Sequence, residues 1–397
     1  MLLTVFIVFI VTIACVGSLR GWGRRPCSLV LYETAVAKQH PGLVGLYGTG
    51  IQSYPGKKMV HNDVLNSSWM LQQGNQIMTN NEYSGMLYLI DSSATTAAPF
   101  ETYDLSDSGL AGAVHLLKHD NYVYVSCYGG PAPPTTGGYC RFAMQDQKLS
   151  LSGAPDAKVL PGSRIHFINT FKTGEPGQDT ILIAVDLGKN CLWNINNFNN
   201  PTKISDTLFG DDHPRHFVDV GNKRNIVVIT ESNYPSSEPT PKLYLLTWSG
   251  REFVKTDVLK LGFNNRKIGH HTTGDEIQLD PRDPNSVFVT LRTYDKSFVP
   301  WSSPSNPGTP PTGGSFLKVS FEDDKLSITS NQLELDPNPR YFCILNQNGQ
   351  YVAYICCQGN SDQLGSLIRV NIETMKELDD VTYQDGQPAF YLPSSTQ

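Results

Sequence analysis

The chain has 397 residues, with 31 basic and 37 acidic side chains and a net charge of −6 at pH 7. This acidic balance argues against a nucleic-acid-binding protein, which usually carries a basic field. Hydrophobic residues make up 39% of the chain, which is enough for a folded core and excludes a wholly disordered protein. Charged residues make up only 17%, and the 34 glycines and 26 prolines favour a β protein rich in turns.

The N-terminus begins with an almost wholly apolar run, Leu2 to Val16, which the small residues Gly17 and Ser18 follow. This pattern predicts a secretory signal peptide over residues 1–19 and therefore a secreted protein. The arginines that follow closely, from Arg20 to Arg25, leave an uncleaved anchor open as the alternative. If the signal is cleaved, no stable membrane insertion is expected, because no later stretch reaches the ~18 apolar residues of a membrane span.

A secreted location has two covalent consequences. The sequon Asn66-Ser67-Ser68 is expected to carry a glycan. Cys127 and Cys140 flank a loop rich in proline and glycine, so a disulfide between them is predicted, with buried free thiols as the alternative.

Internal repetition dominates the rest of the chain. Three segments align as strand, tight turn and strand: residues 214–231, 275–292 and 339–357. Their matched ends lie 15, 15 and 16 residues apart, from His216 to Glu231, from Ile277 to Arg292 and from Tyr341 to Cys357. The turns are rich in Asn, Gly, Asp and Pro, which supply the backbone angles of a reversal. Looser copies precede them at residues 69–82, 114–128 and 165–188.

Each of these hairpins is followed by a third strand, such as Lys242 to Thr247. A repeated unit of this kind is typical of a β-propeller. Six units are visible, and a seventh can form from Gly386 to Leu392 together with Leu43 to Gly48. Such a mixed blade would hide two sheet edges. We therefore predict an all-β fold, a seven-bladed β-propeller of four-stranded antiparallel blades, as a single domain over residues 40–397. Two β-sandwiches are the alternative.

Four segments in their order resemble the seven-bladed propeller lactonase family, which includes bacterial 6-phosphogluconolactonase-like propellers and fungal carboxy-cis,cis-muconate cyclases. The matching segments are Pro214-Arg215-His216-Phe217 with Glu231, His166-Phe167 with Asp186-Leu187-Gly188, Glu276-Ile277 with Arg292, and Pro339-Arg340-Tyr341-Phe342. The chain departs from the family at Cys356-Cys357-Gln358, where an Ala-Asn ending is usual, and in its secretory leader.

In a hairpin, the start of the first strand and the end of the second lie at one edge of the blade. One face of the channel is therefore expected to carry a ring of acidic, basic and guanidinium groups: His166, Arg215, Glu231, Glu276, Arg292 and Arg340. The family resemblance implies a catalytic set of His166, Arg215, Glu231 and Arg292. Glu276 and Arg340 are predicted to bind substrate.

The predicted function is that of a lactonase or a muconate-lactonising enzyme. Its substrate is expected to be a small anionic lactone or a carboxymuconate-like acid, and neither metal nor cofactor is expected. Arginines can bind a carboxylate or offset a developing oxyanion, while His166 and Glu231 transfer protons. The alternative is a secreted, non-catalytic propeller that binds a ligand or a protein partner at the same face.

Structural roles for some of these residues also stay open. Arg215 and Arg340 occupy equivalent repeat positions and can brace neighbouring blades, and Glu231 can be a salt-bridge partner. Strict alternation along the strand predicts that His216 points away from Arg215 into the core.

Overall fold

The structure is a computed structural model. It describes residues 41–92, 99–130, 137–175, 178–204, 207–220, 224–231, 240–262, 271–294, 312–360, 363–384 and 386–394. The predicted signal peptide over residues 1–19 lies outside these ranges. Within them, no helix is long and apolar enough to cross a membrane.

The described residues form strands almost throughout, with one short 3-10 helix at Leu105–Ser108. The first strands in chain order are β1 (Gly42–Tyr47), β2 (Gly50–Tyr54), β3 (Met59–His61), β4 (Ser67–Gln73), β5 (Gln76–Asn81), β6 (Met86–Asp91), β7 (Glu101–Asp104), β8 (Ala113–His119), β9 (Tyr122–Cys127), β10 (Gly138–Ala143), β11 (Asp156–Val159), β12 (Ile165–Glu175), β13 (Gln178–Asp186), β14 (Cys191–Asn194) and β15 (Thr202–Lys203). The remaining strands are β16 (Pro214–Asp219), β17 (Asn225–Thr230), β18 (Lys242–Trp248), β19 (Phe253–Lys260), β20 (His271–Asp280), β21 (Asp283–Tyr294), β22 (Gly313–Glu322), β23 (Lys325–Ile328), β24 (Leu333–Leu335), β25 (Pro339–Gln347), β26 (Gln350–Cys357), β27 (Gly365–Asn371), β28 (Lys376–Tyr383) and β29 (Gln387–Pro393).

These strands pair into seven antiparallel sheets, which are the blades of a propeller. Blades I to IV are β4–β7, β8–β11, β12–β15 and β16–β19. Blade V is β20–β23, with β24 added beside β22, and blade VI is β25–β28. Blade VII combines β29 with β1, β2 and β3. The innermost strands contact one another in this order, and β29 contacts β4 to close the ring. The predicted seven-bladed propeller is confirmed.

The shared closing blade is also confirmed. Strand β1 pairs antiparallel with β29, so that Val44 lies opposite Tyr391 and Leu43 opposite Leu392. The two described ends of the chain are thereby joined by a ladder of backbone hydrogen bonds, and the edge of β1 is covered.

The middle strands of the blades are buried on both faces, because each blade packs between two neighbours. In β17, Ile226, Val227, Val228 and Ile229 are all 0% exposed. This is why the sequence shows continuous apolar runs in these strands instead of an alternating pattern. The core accordingly lies between the blades.

Each innermost strand carries one extra residue near its start. In blade IV, Pro214 lies opposite Thr230 but His216 lies opposite Ile229, so that Arg215 is an insertion in the ladder. The same shift occurs near the start of the inner strand in all seven blades. Such a β-bulge re-aims side chains and breaks the strict alternation of a strand.

The disulfide predicted between Cys127 and Cys140 is wrong, because both thiols are free and buried. The two residues lie on the adjacent strands β9 and β10, but Cys127 faces Gly138 and Cys140 faces Val125. A diagonal offset across a ladder separates Cβ atoms by more than the ~4.5 Å that a disulfide tolerates.

The predicted glycan and secreted location stay predictions. The side-chain amide of Asn66 donates to Asn81 Oδ1 at 3.3 Å, and its oxygen accepts from the Gly48 amide at 3.0 Å.

Candidate active site

The bulges build two layers of side chains around the channel. The first layer lies nearer the entry face, which we define as the face where the seven inner strands begin. It consists of the inserted residues Ser68, Val114, His166, Arg215, Asp275, Arg340 and Ala389. The second layer consists of the residues that follow them, Trp69, His115, Phe167, His216, Glu276, Tyr341 and Phe390.

An ionic cluster of Arg215, Glu231, Asp275 and Arg292 joins blades IV and V at the first layer. Arg215 Nη1 donates a hydrogen bond to Glu231, and Arg215 Nη2 forms an ion pair with Asp275 Oδ1 at 2.8 Å. Arg292 Nη2 lies 3.3 Å from both carboxylates and 3.4 Å from the Gly274 carbonyl oxygen. Asp275 is fully buried, whereas 26% of the Glu231 side chain is exposed. The cluster is thus buried on the side of Asp275 and accessible to solvent on the side of Glu231.

Arg340 forms a second set of contacts across blades VI, VII and I. Its Nη2 donates to the Tyr47 hydroxyl at 3.1 Å and lies 3.3 Å from Glu82 Oε2. The Tyr47 hydroxyl also donates to Glu82. Tyr47 is the last residue of the second strand of its blade, and Glu82 directly follows the second strand of blade I, as Glu231 does in blade IV.

The electrostatics of the entry face separate the roles of Glu231 and His166. Burial alone would raise the pKa of Glu231, but Arg215 and Arg292 bring this pKa from 4.5 to about 2, so the group is ionised at neutral pH. Burial lowers the pKa of His166 well below its ordinary value, and the charges of Arg215 and Arg340 lower it further. His166 is therefore neutral at pH 7 and has a lone pair on one ring nitrogen.

His166, His216 and Glu276 form a hydrogen-bonded chain between the layers. His166 Nδ1 lies 3.1 Å from His216 Nε2, and His216 Nδ1 lies 3.0 Å from Glu276 Oε1. His216 is indeed buried, but the bulge turns it toward the channel beside Arg215 instead of away from it. The same bulge in blade V places Glu276 one layer deeper than the expected ring of arginines.

The second layer fills the middle of the channel with rings. The Trp69 indole of blade I lies 4.3 Å from the His115 ring, 5.3 Å from Tyr341 and 4.8 Å from Phe390, measured between centroids. It also lies 6.4 Å from His216 in blade IV, so it reaches across the channel. The rings separate the entry face from the opposite end.

A cavity of about 500 Å³ lies on the far side of these rings. Its inner wall includes Trp69, Phe167, Glu276 and Tyr341, and residues farther along the inner strands, such as Asp219, line its outer part.

The structure thus brings His166, Arg215, Glu231 and Arg292 to one end of the channel, with Arg340 beside them. Sequence reasoning missed Asp275 as the shared partner of the two arginines, although Gly274-Asp275-Glu276-Ile277 aligns with Pro214-Arg215-His216-Phe217 in the repeat. It also missed Tyr47 and Glu82. The signal for Glu82 was present, because Glu82 ends its hairpin as Glu231 does.

Comparisons with known proteins define the class of fold. No protein-family model matches the chain. No curated protein matches it either. Among solved structures it is similar to a "putative 6-phosphogluconolactonase" from Bacteroides fragilis, with a TM-score of 0.59 and 14% identity over 90% of this chain and 99% of that one. It is equally similar to a protein of the same description from Bacteroides uniformis, with a TM-score of 0.59 and 14% identity over 89% of this chain and 99% of that one. The resemblance to lactonase-like propellers is thereby confirmed at the level of the fold.

Proposed function

We propose that this protein is a lactone hydrolase that acts on small anionic lactones at the entry-face end of its channel. The observation that carries this proposal is the convergence of a neutral histidine, His166, with three arginines and an ionised glutamate. The names of the two similar structures agree with this activity class. The fold by itself supports many functions, so the activity is inferred from the residues of the site.

His166 is the candidate general base. Its Nδ1 is bonded to His216, and its Nε2 has no hydrogen-bond partner among the described residues. A neutral imidazole with a free Nε2 can take a proton from water as that water attacks the lactone carbonyl carbon. The same nitrogen can then return a proton to the leaving alkoxide.

Arg292 and Arg340 are the candidate electrophiles. Negative charge develops on the carbonyl oxygen during the attack, and fixed cations stabilise it without reorganisation. Both guanidinium groups make their described contacts through Nη2. Their remaining N–H groups can therefore donate to the oxyanion or to a substrate carboxylate. Arg215 is different, because both of its terminal nitrogens already form ion pairs with carboxylates.

Glu231 serves in this scheme as a permanent anion that positions the arginines. A carboxyl group with a pKa of about 2 is a poor proton donor near neutral pH. The same groups can also close a lactone ring, because the addition of a carboxylate to an alkene needs a bound anion and a proton donor. The panel of substrates must therefore include a muconate-like acid.

The test is an activity screen of the purified chain against 6-phosphogluconolactone, unphosphorylated gluconolactone, muconolactones and carboxymuconate. We expect turnover of at least one anionic member, followed as proton release at constant pH. His166→Gln should lower kcat by about 10²–10⁴-fold and change KM little, because it removes the base and leaves the arginines in place.

Arg141→Ala is the control, because Arg141 pairs with Asp156 at 2.8 Å on the outer strands of blade II and is remote from the site. Its kcat should equal that of the unaltered chain. Binding of anionic lactones without turnover of any of them would instead show a ligand-binding propeller.

A further inference from the structure

Glu276 is chemically different from the rest of the second layer. The other six positions carry rings, whereas Glu276 carries a carboxyl group that is only 3% exposed. Its Oε1 accepts a hydrogen bond from the Ile277 amide at 2.9 Å and lies 3.0 Å from His216 Nδ1. Its Oε2 is buried without a hydrogen-bond partner in the described parts of the chain, and the residue lines the cavity beyond the rings. Burying a carboxyl oxygen without a hydrogen-bond partner costs free energy, so its presence in a folded protein calls for an explanation.

The contacts of Glu276 continue to the entry face. From Glu276 Oε1 to His216 Nδ1 the distance is 3.0 Å, and from His216 Nε2 to His166 Nδ1 it is 3.1 Å. His216 is hydrogen-bonded through both ring nitrogens, to His166 on one side and to Glu276 on the other. The position of one proton in this chain therefore decides the positions of the others.

We propose that Glu276, His216 and His166 form a proton relay through the channel, which carries the proton that His166 takes from the attacking water to Glu276 at the cavity. This inference rests on the proposed function for the role of His166, and it assigns positioning and proton-storing roles to His216 and Glu276.

The relay moves one proton by changing the tautomers of two histidines. At the start Glu276 is a carboxylate, His216 carries its proton on Nδ1 and His166 carries its proton on Nδ1. When His166 Nε2 accepts a proton from water, the Nδ1 proton of His166 moves to His216 Nε2. The Nδ1 proton of His216 then moves to Glu276 Oε1. Both imidazoles are then neutral Nε2–H tautomers, and Glu276 is a neutral acid. When His166 Nε2 gives its proton to the leaving alkoxide, the Nε2 proton of His216 returns to His166 Nδ1 and the proton of Glu276 returns to His216 Nδ1, which restores the starting state.

The charges around the three groups favour this direction of transfer. The charged and titratable groups that face His166 are Arg215, Arg340 and Arg292. Those that face His216 are His115, Arg215, Asp275, Arg340 and Glu231, and those that face Glu276 are Asp275, Arg215 and Tyr341. A proton kept on His166 would place a fourth positive charge beside three arginines. The same proton on Glu276 neutralises a buried carboxylate, whose pKa is raised by burial and by Asp275.

The cavity gives the relay an outlet. Its volume of about 500 Å³ has room for several water molecules at about 30 Å³ each. Residues toward its outer part, such as Thr170 and Asp219, are partly exposed. Water in the cavity can therefore exchange the proton of Glu276 with solvent on the side of the ring opposite the substrate.

The first test uses the unaltered chain labelled with ¹⁵N-histidine. Two-bond ¹H–¹⁵N NMR spectra distinguish the tautomers, and the His166→Gln and His216→Gln variants assign the signals. As pH falls, His166 and His216 should change together from the Nδ1–H to the Nε2–H tautomer with one shared midpoint. Tautomers that stay fixed from pH 4 to pH 9, or that change at separate midpoints, would overturn the relay.

The second test replaces Glu276 by glutamine, which keeps the acceptor for His216 but takes no proton. We expect the tautomer change to disappear, kcat to fall about 10²-fold with KM within twofold, and the pH–rate profile to lose one ionisation. Asp219→Asn is the matched control, because Asp219 lines the same cavity and instead accepts from the Lys172 amide at 2.9 Å. This control should behave as the unaltered chain.

The two tests separate the relay from the proposed function. A coupled tautomer change that Glu276→Gln abolishes, in a chain that turns over no member of the panel, supports the relay and rejects the lactonase. Turnover by the unaltered chain together with a Glu276→Gln variant of full kcat and unchanged pH profile rejects the relay and supports the lactonase.

Discussion

At the scale of single residues, Glu231 is an ion that holds other groups in place. Its carboxylate bonds Arg215 and lies 3.3 Å from Arg292 Nη2, so it fixes two guanidinium groups from two blades. Asp275 repeats these contacts from the buried side. The two acids set the direction in which the arginines present their remaining donors, which is a requirement for stabilising a developing charge.

The low pKa of Glu231 makes a prediction about pH and stability. A carboxyl group whose pKa falls from 4.5 to about 2 on folding stabilises the fold above its unfolded-state pKa, and this contribution is lost as pH falls through the folded value. Glu231→Gln should therefore lower the free energy of unfolding by about 1–3 kcal/mol at pH 7, because two buried guanidinium groups lose a charged acceptor. The difference from the unaltered chain should shrink as the pH is lowered from about 5 to 2.

Urea unfolding at several pH values measures this effect. Glu373→Gln serves as the comparison, because Glu373 is 52% exposed on its side chain and lies 3.7 Å from Arg282. That variant should differ from the unaltered chain by less than about 0.5 kcal/mol at every pH. A Glu231→Gln difference that stays constant down to pH 2.5 would contradict the role of its charge.

Sequence alone predicts the right charges at the entry face, including Glu231 as a possible salt-bridge partner, but it does not predict the second acidic partner of the arginines. The alignment of hairpin ends brought Arg215, Glu231 and Arg292 together, because strand starts and hairpin ends share an edge. Asp275 is not predicted, since its ion pairs with two arginines depend on a contact between blades. Such contacts between distant segments leave no periodic signal in the chain.

At the scale of elements, the bulge explains the largest departure from the sequence prediction. Strict alternation places His216 on the opposite side from Arg215, whereas the inserted residue brings both to the channel. The bulge is present in all three aligned repeats, so it leaves no difference between them by which the sequence could reveal it. The turns were easier to predict, because Asn, Gly, Asp and Pro mark them directly.

The bulge in blade V requires a close approach of two backbones, and this gives an element-scale prediction. A Cβ added at Gly274 would lie 2.3 Å from the Thr230 carbonyl oxygen and 2.7 Å from Ile229 Cγ1 in blade IV. Gly274→Ala should therefore destabilise the chain by about 1–3 kcal/mol and weaken lactone turnover, because Asp275 is the next residue. Thermal unfolding and kcat/KM are the measurements.

Gly313→Ala is the matched control within the same blade. Its added Cβ would find its nearest neighbour, Thr293 Cβ, at 4.0 Å, so no clash is expected. This substitution should be neutral or slightly stabilising, because alanine restricts the unfolded chain more than glycine does. Equal effects of the two substitutions would show that the approach of blades IV and V is not tight.

At the scale of the whole molecule, the candidate site exists only in a closed ring. The ionic cluster joins blades IV and V, Arg340 joins blade VI to Tyr47 of blade VII and Glu82 of blade I, and the hydrogen-bonded chain runs through blades III, IV and V. No single blade supplies a site. Binding a ligand at the entry face and holding the ring together are therefore coupled properties of the chain.

Closure depends on β29, which is the inner strand of blade VII and the contact between blades VI and I. Its Phe390 packs on Tyr341 of blade VI, with centroids 4.0 Å apart, and on Trp69 of blade I.

A chain that ends at Gly386 lacks this strand and exposes both the edge of β1 and the faces of two blades. We expect it to lose its cooperative thermal transition, to bind a hydrophobic dye and to lose lactone turnover, because the ring cannot close and the apolar faces that pack on β29 become exposed. A chain that ends at Ser394 keeps every described strand and should melt at the same temperature as the full chain. A cooperative transition and full activity in the shorter chain would show that the ring, and the site within it, forms without the closing strand.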